Sequence, residues 1–174
     1  MSRARKVIFL ITTFILISSF NIKAERVNLS GSQIFLKDDI GKLWETEYNF
    51  DKYQGISIDY LIIDDYFQQW GFDYKSLLSK TPGNKLFGTL GWRQYQLFGQ
   101  PNGMFKMGIE SRAPFYNHQL RLDFDLAMDD KVGLYLTHKA ELILFHSSWL
   151  KGKVGYGNLL GGKDGSSFWL GLEF

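Results

Sequence analysis

The chain has 174 residues, 20 Lys+Arg against 18 Asp+Glu, and no cysteine. That is one domain's length, and it excludes a disulfide framework, a thiolate metal site and a cysteine nucleophile. With 45% hydrophobic and 22% charged residues it is neither disordered nor collagenous.

Residues 1–24 read as a secretory signal peptide. Ser2-Arg3-Ala4-Arg5-Lys6 is basic, Val7 to Phe20 carries no charge, and Ala24 is the small residue before a cut. An uncleaved anchor is the alternative. The uncharged run is shorter than the roughly 20 residues a spanning helix needs. Removing Arg3, Arg5, Lys6 and Lys23 takes the 20 Lys+Arg to 16 against 18 Asp+Glu, a net charge of −2. A near-neutral domain has no basic footprint for nucleic acid.

Residues 25–41 follow as a periplasmic lead-in or a first strand, and residues 42–174 read as strands to the end. Trp44, Thr46, Tyr48 and Phe50 oppose Glu45, Glu47 and Asn49. Ile56, Ile58, Tyr60 and Ile62 oppose Ser57 and Asp59. The same alternation separates Trp70, Phe72 and Tyr74 from Asp73 and Lys75, then Leu86, Leu90 and Trp92 from Thr89 and Arg93. Phe105, Met107 and Ile109 oppose Lys106 and Glu110. Leu120, Leu122, Phe124, Leu126 and Met128 oppose Arg121, Asp123 and Asp125. On a strand such rows separate completely, whereas on a helix they scatter. Turn signals fall between them, at Thr81-Pro82-Gly83-Asn84, Gln100-Pro101-Asn102-Gly103 and Met128-Asp129-Asp130-Lys131.

A soluble periplasmic β-sandwich would turn the apolar rows inward. A closed antiparallel transmembrane β-barrel would turn them out to lipid and seal the charges inside. Strands of about ten residues, aromatics near strand ends, and an alternating end, Ser167-Phe168-Trp169-Leu170-Gly171-Leu172-Glu173-Phe174, favour the barrel. This final stretch resembles the last strand of bacterial outer-membrane barrels. The resemblance implies an outer-membrane location and recognition of Phe174 by the barrel-assembly machinery. Eight strands are expected, with Glu45, Glu47, Asp73, Lys75, Arg93, Lys106, Glu110, Arg112, Arg121, Asp123 and Asp125 facing the lumen as an ion-paired plug. At that strand number side chains just fill the interior, so no channel is expected.

No phosphate loop, dinucleotide fingerprint, zinc spacing or G-x-S-x-G appears, so neither cofactor nor metal is expected. His146 and Ser148 are two apart and so share a strand face, and Asp164 has the parity of the outward row Phe168, Leu170, Leu172 and Phe174. A serine hydroxyl needs an imidazole to take its proton, and an acid to orient that imidazole. The His-x-Ser pair, with an acid near the start of the last strand, is similar to lipid A 3-O-deacylases of the PagL type. That resemblance implies His146 as base, Ser148 as nucleophile and Asp164 as orienting acid. Trp149 stands where that family carries Asn. Two functions follow. One is a small non-channel barrel acting through surface loops or membrane integrity, among outer-membrane lipids and lipopolysaccharide. The other is an outer-membrane lipid ester hydrolase.

Overall fold

The computed structural model describes residues 26–129, 131–145, 147, 149–158 and 166–174. The signal peptide expected over residues 1–24 lies outside them. Ten strands follow one another: β1 (Arg26–Phe35), β2 (Ile40–Asn49), β3 (Gln54–Ile63), β4 (Phe67–Thr81), β5 (Asn84–Leu97), β6 (Gln100–Phe115), β7 (His118–Asp129), β8 (Gly133–Phe145), β9 (Lys151–Asn158) and β10 (Ser166–Glu173). Each pairs antiparallel with its neighbours in sequence, and β1 pairs with β10 to close the barrel. In lipid every backbone polar group must find a partner within the protein, and closure leaves no open edge. At the seam the amide of Leu29 donates to the carbonyl of Phe174 at 3.1 Å, and the amide of Phe174 donates back to Leu29 at 2.8 Å.

The expected count of eight is corrected to ten. The two added strands are those with the weakest apolar contrast. In β1 the outward row includes Gly31 and Gln33, and the inward row includes Ser30 and Ser32. In β9 glycine occupies positions 152, 155 and 157. β8 ends at Phe145, and β9 begins after a turn.

Both ends of the described chain, Arg26 and Phe174, lie at one rim, with the β2–β3, β4–β5, β6–β7 and β8–β9 connections. The other five connections form the opposite rim. No connection exceeds seven residues. The β5–β6 turn is one of three with two residues, with Phe98 at φ 46° and Gly99 at φ 81°. Positive φ at both central residues matches the twist of the flanking strands. Following paired residues round the wall returns to β1 displaced by about a dozen residues, the stagger that tilts strands by roughly 40°.

This register turns the apolar rows outward. Trp44, Phe72, Leu90, Trp92, Phe124, Leu170 and Leu172 are exposed on the wall, whereas Lys75, Arg93, Glu110, Glu141 and Lys153 are buried within it. All eleven residues expected in the lumen face it. Exposed apolar residues and buried ions together are the reverse of a water-soluble protein.

A charge placed on this wall meets hydrocarbon. Phe124→Arg is expected to destabilise the folded barrel by about 2–4 kcal/mol, the cost of arginine near the bilayer midplane. Reversible urea unfolding in lipid vesicles measures it.

Candidate functional site in the barrel lumen

Each inward side chain leans over its neighbour strand, and the sequence leaves room there. Gly71 stands opposite Asp59, Gly91 opposite Asp73, and Gly108 opposite Asp125. A Cβ at any of these glycines would collide with the facing carboxylate. Narrow seats of this kind let long charged groups lie flat and meet across the lumen.

Their ion pairs, among the described residues, fall into two networks and one rim pair. The first network joins β3 to β7. Arg93 grips Asp73 at 2.5 Å and Asp59 at 2.8 Å, and Lys106 reaches Asp125 at 2.9 Å and Asp73 at 3.2 Å. Thr89 donates to Asp125 at 3.2 Å. Three carboxylates thus share two cations.

The second network is balanced, with five carboxylates and five cations. Lys75 bridges Glu47 at 3.1 Å and Glu110 at 2.8 Å. Arg112 holds the same two carboxylates, with its Nη2 2.9 Å from Glu47. Arg121 lies 2.9 Å from Glu110, 3.3 Å from Asp123 and 3.5 Å from Glu141. Lys139 and Lys153 reach Glu45 at 2.7 and 2.6 Å, and both lie 3.4 Å from Glu141. The Trp169 indole N–H donates to Glu141 at 3.0 Å. Lys151 pairs with Glu173 at 2.6 Å at the rim that holds the chain ends.

Toward the opposite rim the lumen turns apolar. Ile34, Leu43, Leu61, Ile63, Phe67 and Trp169 form a buried cluster, with Leu36, Tyr66 and Tyr95 packed against it. Tyr95 stacks on Phe67 with ring centres 5.9 Å apart, and its hydroxyl donates to Asp129 at 2.6 Å. In the β3–β4 turn, Tyr66 stacks on Phe98 and donates to Asp39 at 2.6 Å, tying three hairpins together. That hydrogen bond to Asp39, with burial adding to it, pushes the Tyr66 phenol up to about 12. Among the networks lies a cavity of about 110 Å³, lined by groups of both and by Leu43 and Leu61 of the apolar cluster. It has room for a few waters.

The expected lumen set left out Asp59, although parity put it on the polar face of its strand, and left out Lys139, Glu141, Lys153 and Trp169. All were visible in principle. Lys139 and Glu141 alternate with the outward Ala140 and Leu142, but Lys153 sits in the glycine-rich β9.

His146, Ser148 and Asp164 lie outside the described residues. The penultimate strand is β9, which starts at Lys151. Ser147 belongs to the turn before it, its amide donating to the Leu150 carbonyl at 3.0 Å. Phe145 and Lys151, which flank the first two residues, pair at the rim holding the chain ends. Asn158 and Ser166, which flank the third, pair at the other end of β9. The hydrolase reading draws no support from these neighbours.

No protein-family model matches the chain, and no curated protein matches it. Solved structures do. The KdgM porin, in a complex with disordered oligogalacturonate, is similar with TM-score 0.52 and 10% identity, covering 84% of this chain and 98% of that one. Omp33 of Acinetobacter baumannii is similar with TM-score 0.45 and 9% identity, covering 88% and 99%. Ail of Yersinia pestis is similar with TM-score 0.29 and 10% identity, covering 85% and 95%. At this identity the KdgM likeness is one of fold. Together with the inside-out wall, it makes this chain a small β-barrel of the bacterial outer membrane. No likeness to the PagL type is shown.

Removing one member of a buried pair strands its partners. Arg93→Leu leaves Asp59 and Asp73 facing each other and is expected to cost about 3–5 kcal/mol, part of it recovered by adding Asp73→Asn. Equilibrium unfolding of the single and double variants measures both. The Tyr66 hydrogen bond needs the protonated phenol. Its contribution is complete below about pH 10, the ordinary tyrosine value, and is lost as pH rises through about 12. An ultraviolet titration is expected to show a phenol ionising near 12 that Tyr66→Phe removes.

Proposed function

We propose that this protein is a closed, non-conducting outer-membrane barrel that acts through its wall and rims and carries no solute through its lumen. The observation behind this reading is the double obstruction inside. Two ion-pair networks cross the lumen and an apolar cluster stands at one rim. A solute would have to displace Arg93, Lys106, Arg121 or Lys139 from paired carboxylates. Breaking such pairs one-sidedly costs several kcal/mol each. A porin, by contrast, keeps a water-filled lumen.

Of the two routes open to such a barrel, membrane integrity fits better than surface loops. Connections of two to seven residues leave little chain beyond the strands from which to build a receptor-binding loop. What the protein presents to its surroundings is chiefly an apolar wall bounded by short turns. Both chain ends sit at one rim, and a chain threaded from the periplasm leaves them on that side. The opposite rim, with the apolar cluster beneath it, then faces outward.

Purified protein inserted into planar bilayers is expected to give no stepwise conductance, and vesicles carrying it are expected not to swell in sugar solutions. Arg93→Ala with Lys106→Ala is expected to introduce leak currents. Stable single-channel steps from the unaltered barrel would overturn the reading.

A further inference from the structure

The outward rows of the ten strands are almost free of charge. Away from the hairpin tips, the fixed charge they carry among the described residues is Lys42, on β2. Lys42 is exposed. It makes no ion pair or hydrogen bond with any described residue. Its cross-strand neighbour on β1 is Gln33, also exposed and also outward. On the far sides stand Ile62 of β3 and Leu170 of β10.

At the neighbouring strand positions around this ammonium and amide the wall is apolar. One pair nearer the rim is Phe35 opposite Ile40, with the Phe35 ring 6.3 Å from that of Phe168. One pair nearer the middle is Gly31 opposite Trp44. The Trp44 ring lies over Gly31, 2.8 Å from where a Cβ would stand, so it presents a broad face to lipid and is 58% exposed. Leu29 and Leu172 continue the apolar surface below it.

A lysine costs about 2–4 kcal/mol at the midplane and about 0–1 near the interface, and it bends its head toward the polar boundary. A polar spot held just inside one rim, with apolar side chains above and below, matches the cross-section of an anionic lipid. Its charge meets the ammonium while its acyl chains lie along the wall. The rim concerned is the one away from both chain ends. On the orientation proposed above, that rim meets the outer leaflet, where lipid phosphates are attached to sugars at the acyl boundary. Lys37 in the adjoining β1–β2 turn is a second cation at that rim; the carboxylate of Asp39 in the same turn is taken by Tyr66, and Asp38 of this turn and Asp64 and Asp65 of the β3–β4 turn are exposed there, so Lys42 is set apart from them by its place lower on the wall.

We propose that Lys42 and Gln33 bind the phosphate of a phosphorylated glycolipid of the outer leaflet, with Trp44, Leu29, Leu170 and Leu172 supporting its acyl chains. The wall meets lipid whether the lumen is open or closed, so conductance does not bear on this site.

Native mass spectrometry of the refolded barrel in detergent tests it, after incubation with bis-phosphorylated lipid A, dephosphorylated lipid A or phosphatidylglycerol. The unaltered protein is expected to retain the phosphorylated glycolipid in preference to the other two. Lys42→Glu is expected to lower that retention about tenfold, the worth of roughly 1.4 kcal/mol. Lys80→Glu, near the β4–β5 hairpin tip, is expected to leave it unchanged. A heat-sensitive shift in gel mobility confirms that each variant folds, and Lys42→Gln and Gln33→Ala replace any that does not. Equal retention by Lys42→Glu and the unaltered barrel overturns the proposal. So does equal retention of the dephosphorylated glycolipid or of phosphatidylglycerol.

Discussion

The ladder between β1 and β10 is the contact on which everything else rests. Nine antiparallel hairpins form an open sheet with two unpaired edges, and hydrocarbon supplies no partner for either. Pairing Ser30 with Glu173 through to Phe35 with Phe168 removes both edges at once. Closure at ten strands then fixes the width of the lumen, and width decides what can fill it. Arg, Lys and Glu side chains point into the interior from most strands. It is wide enough for those chains to meet in pairs where a glycine on the next strand gives way. The strand number, the glycine seats and the ion-pair networks are three consequences of one geometric closure.

Much of this was legible in the sequence because a barrel wall repeats a single rule. Parity alone placed Glu47, Lys75, Arg93, Glu110 and Asp125 inside and Phe72, Leu90, Phe124 and Leu170 outside. The rule failed where its contrast faded. β1 offers Ser30 and Ser32 as its inward polar residues and Gly31 and Gln33 in its outward row, so neither face announces itself. In β9 three glycines occupy both faces. These strands are also the ones flanking β10, which carries Trp169 into the lumen over Gly155. A bulky indole needs small neighbours, so the signal that would identify the strand is removed by the packing that the strand must permit. The apolar cluster at one rim was illegible for a different reason. Ile34, Leu43, Leu61 and Ile63 sit at inward positions where the pattern calls for polar groups, and only the register shows that they converge.

That reversal near one rim has a physical sense. Charged groups fill the middle of the barrel, where the surrounding hydrocarbon is thickest and unpaired ions would be most costly. Toward the rim with the apolar cluster, pairs give way to packing, and tyrosine hydroxyls from Tyr66 and Tyr95 reach Asp39 and Asp129 at the boundary. Polar tips on apolar bodies suit a zone that is dry below and wet above.

Buried ion pairs are weak evidence of stability, since desolvation offsets much of their attraction. Here they do something else. A one-residue slip of any strand would turn its inward row onto the lipid. For β4 that would expose Asp73 and Lys75, and for β7 it would expose Arg121, Asp123 and Asp125. Basic residues near the midplane cost about 2–4 kcal/mol each, and acidic ones less. The slip would also break pairs made across the lumen, such as Lys139 with Glu45 and Arg112 with Glu47, that connect strands far apart around the wall. A hydrophobic lumen of equal volume would match an oily wall in either register and so would specify neither. Charge inside therefore selects one alignment among many closed ladders of similar backbone energy, and the filled lumen that results is the price of a unique register.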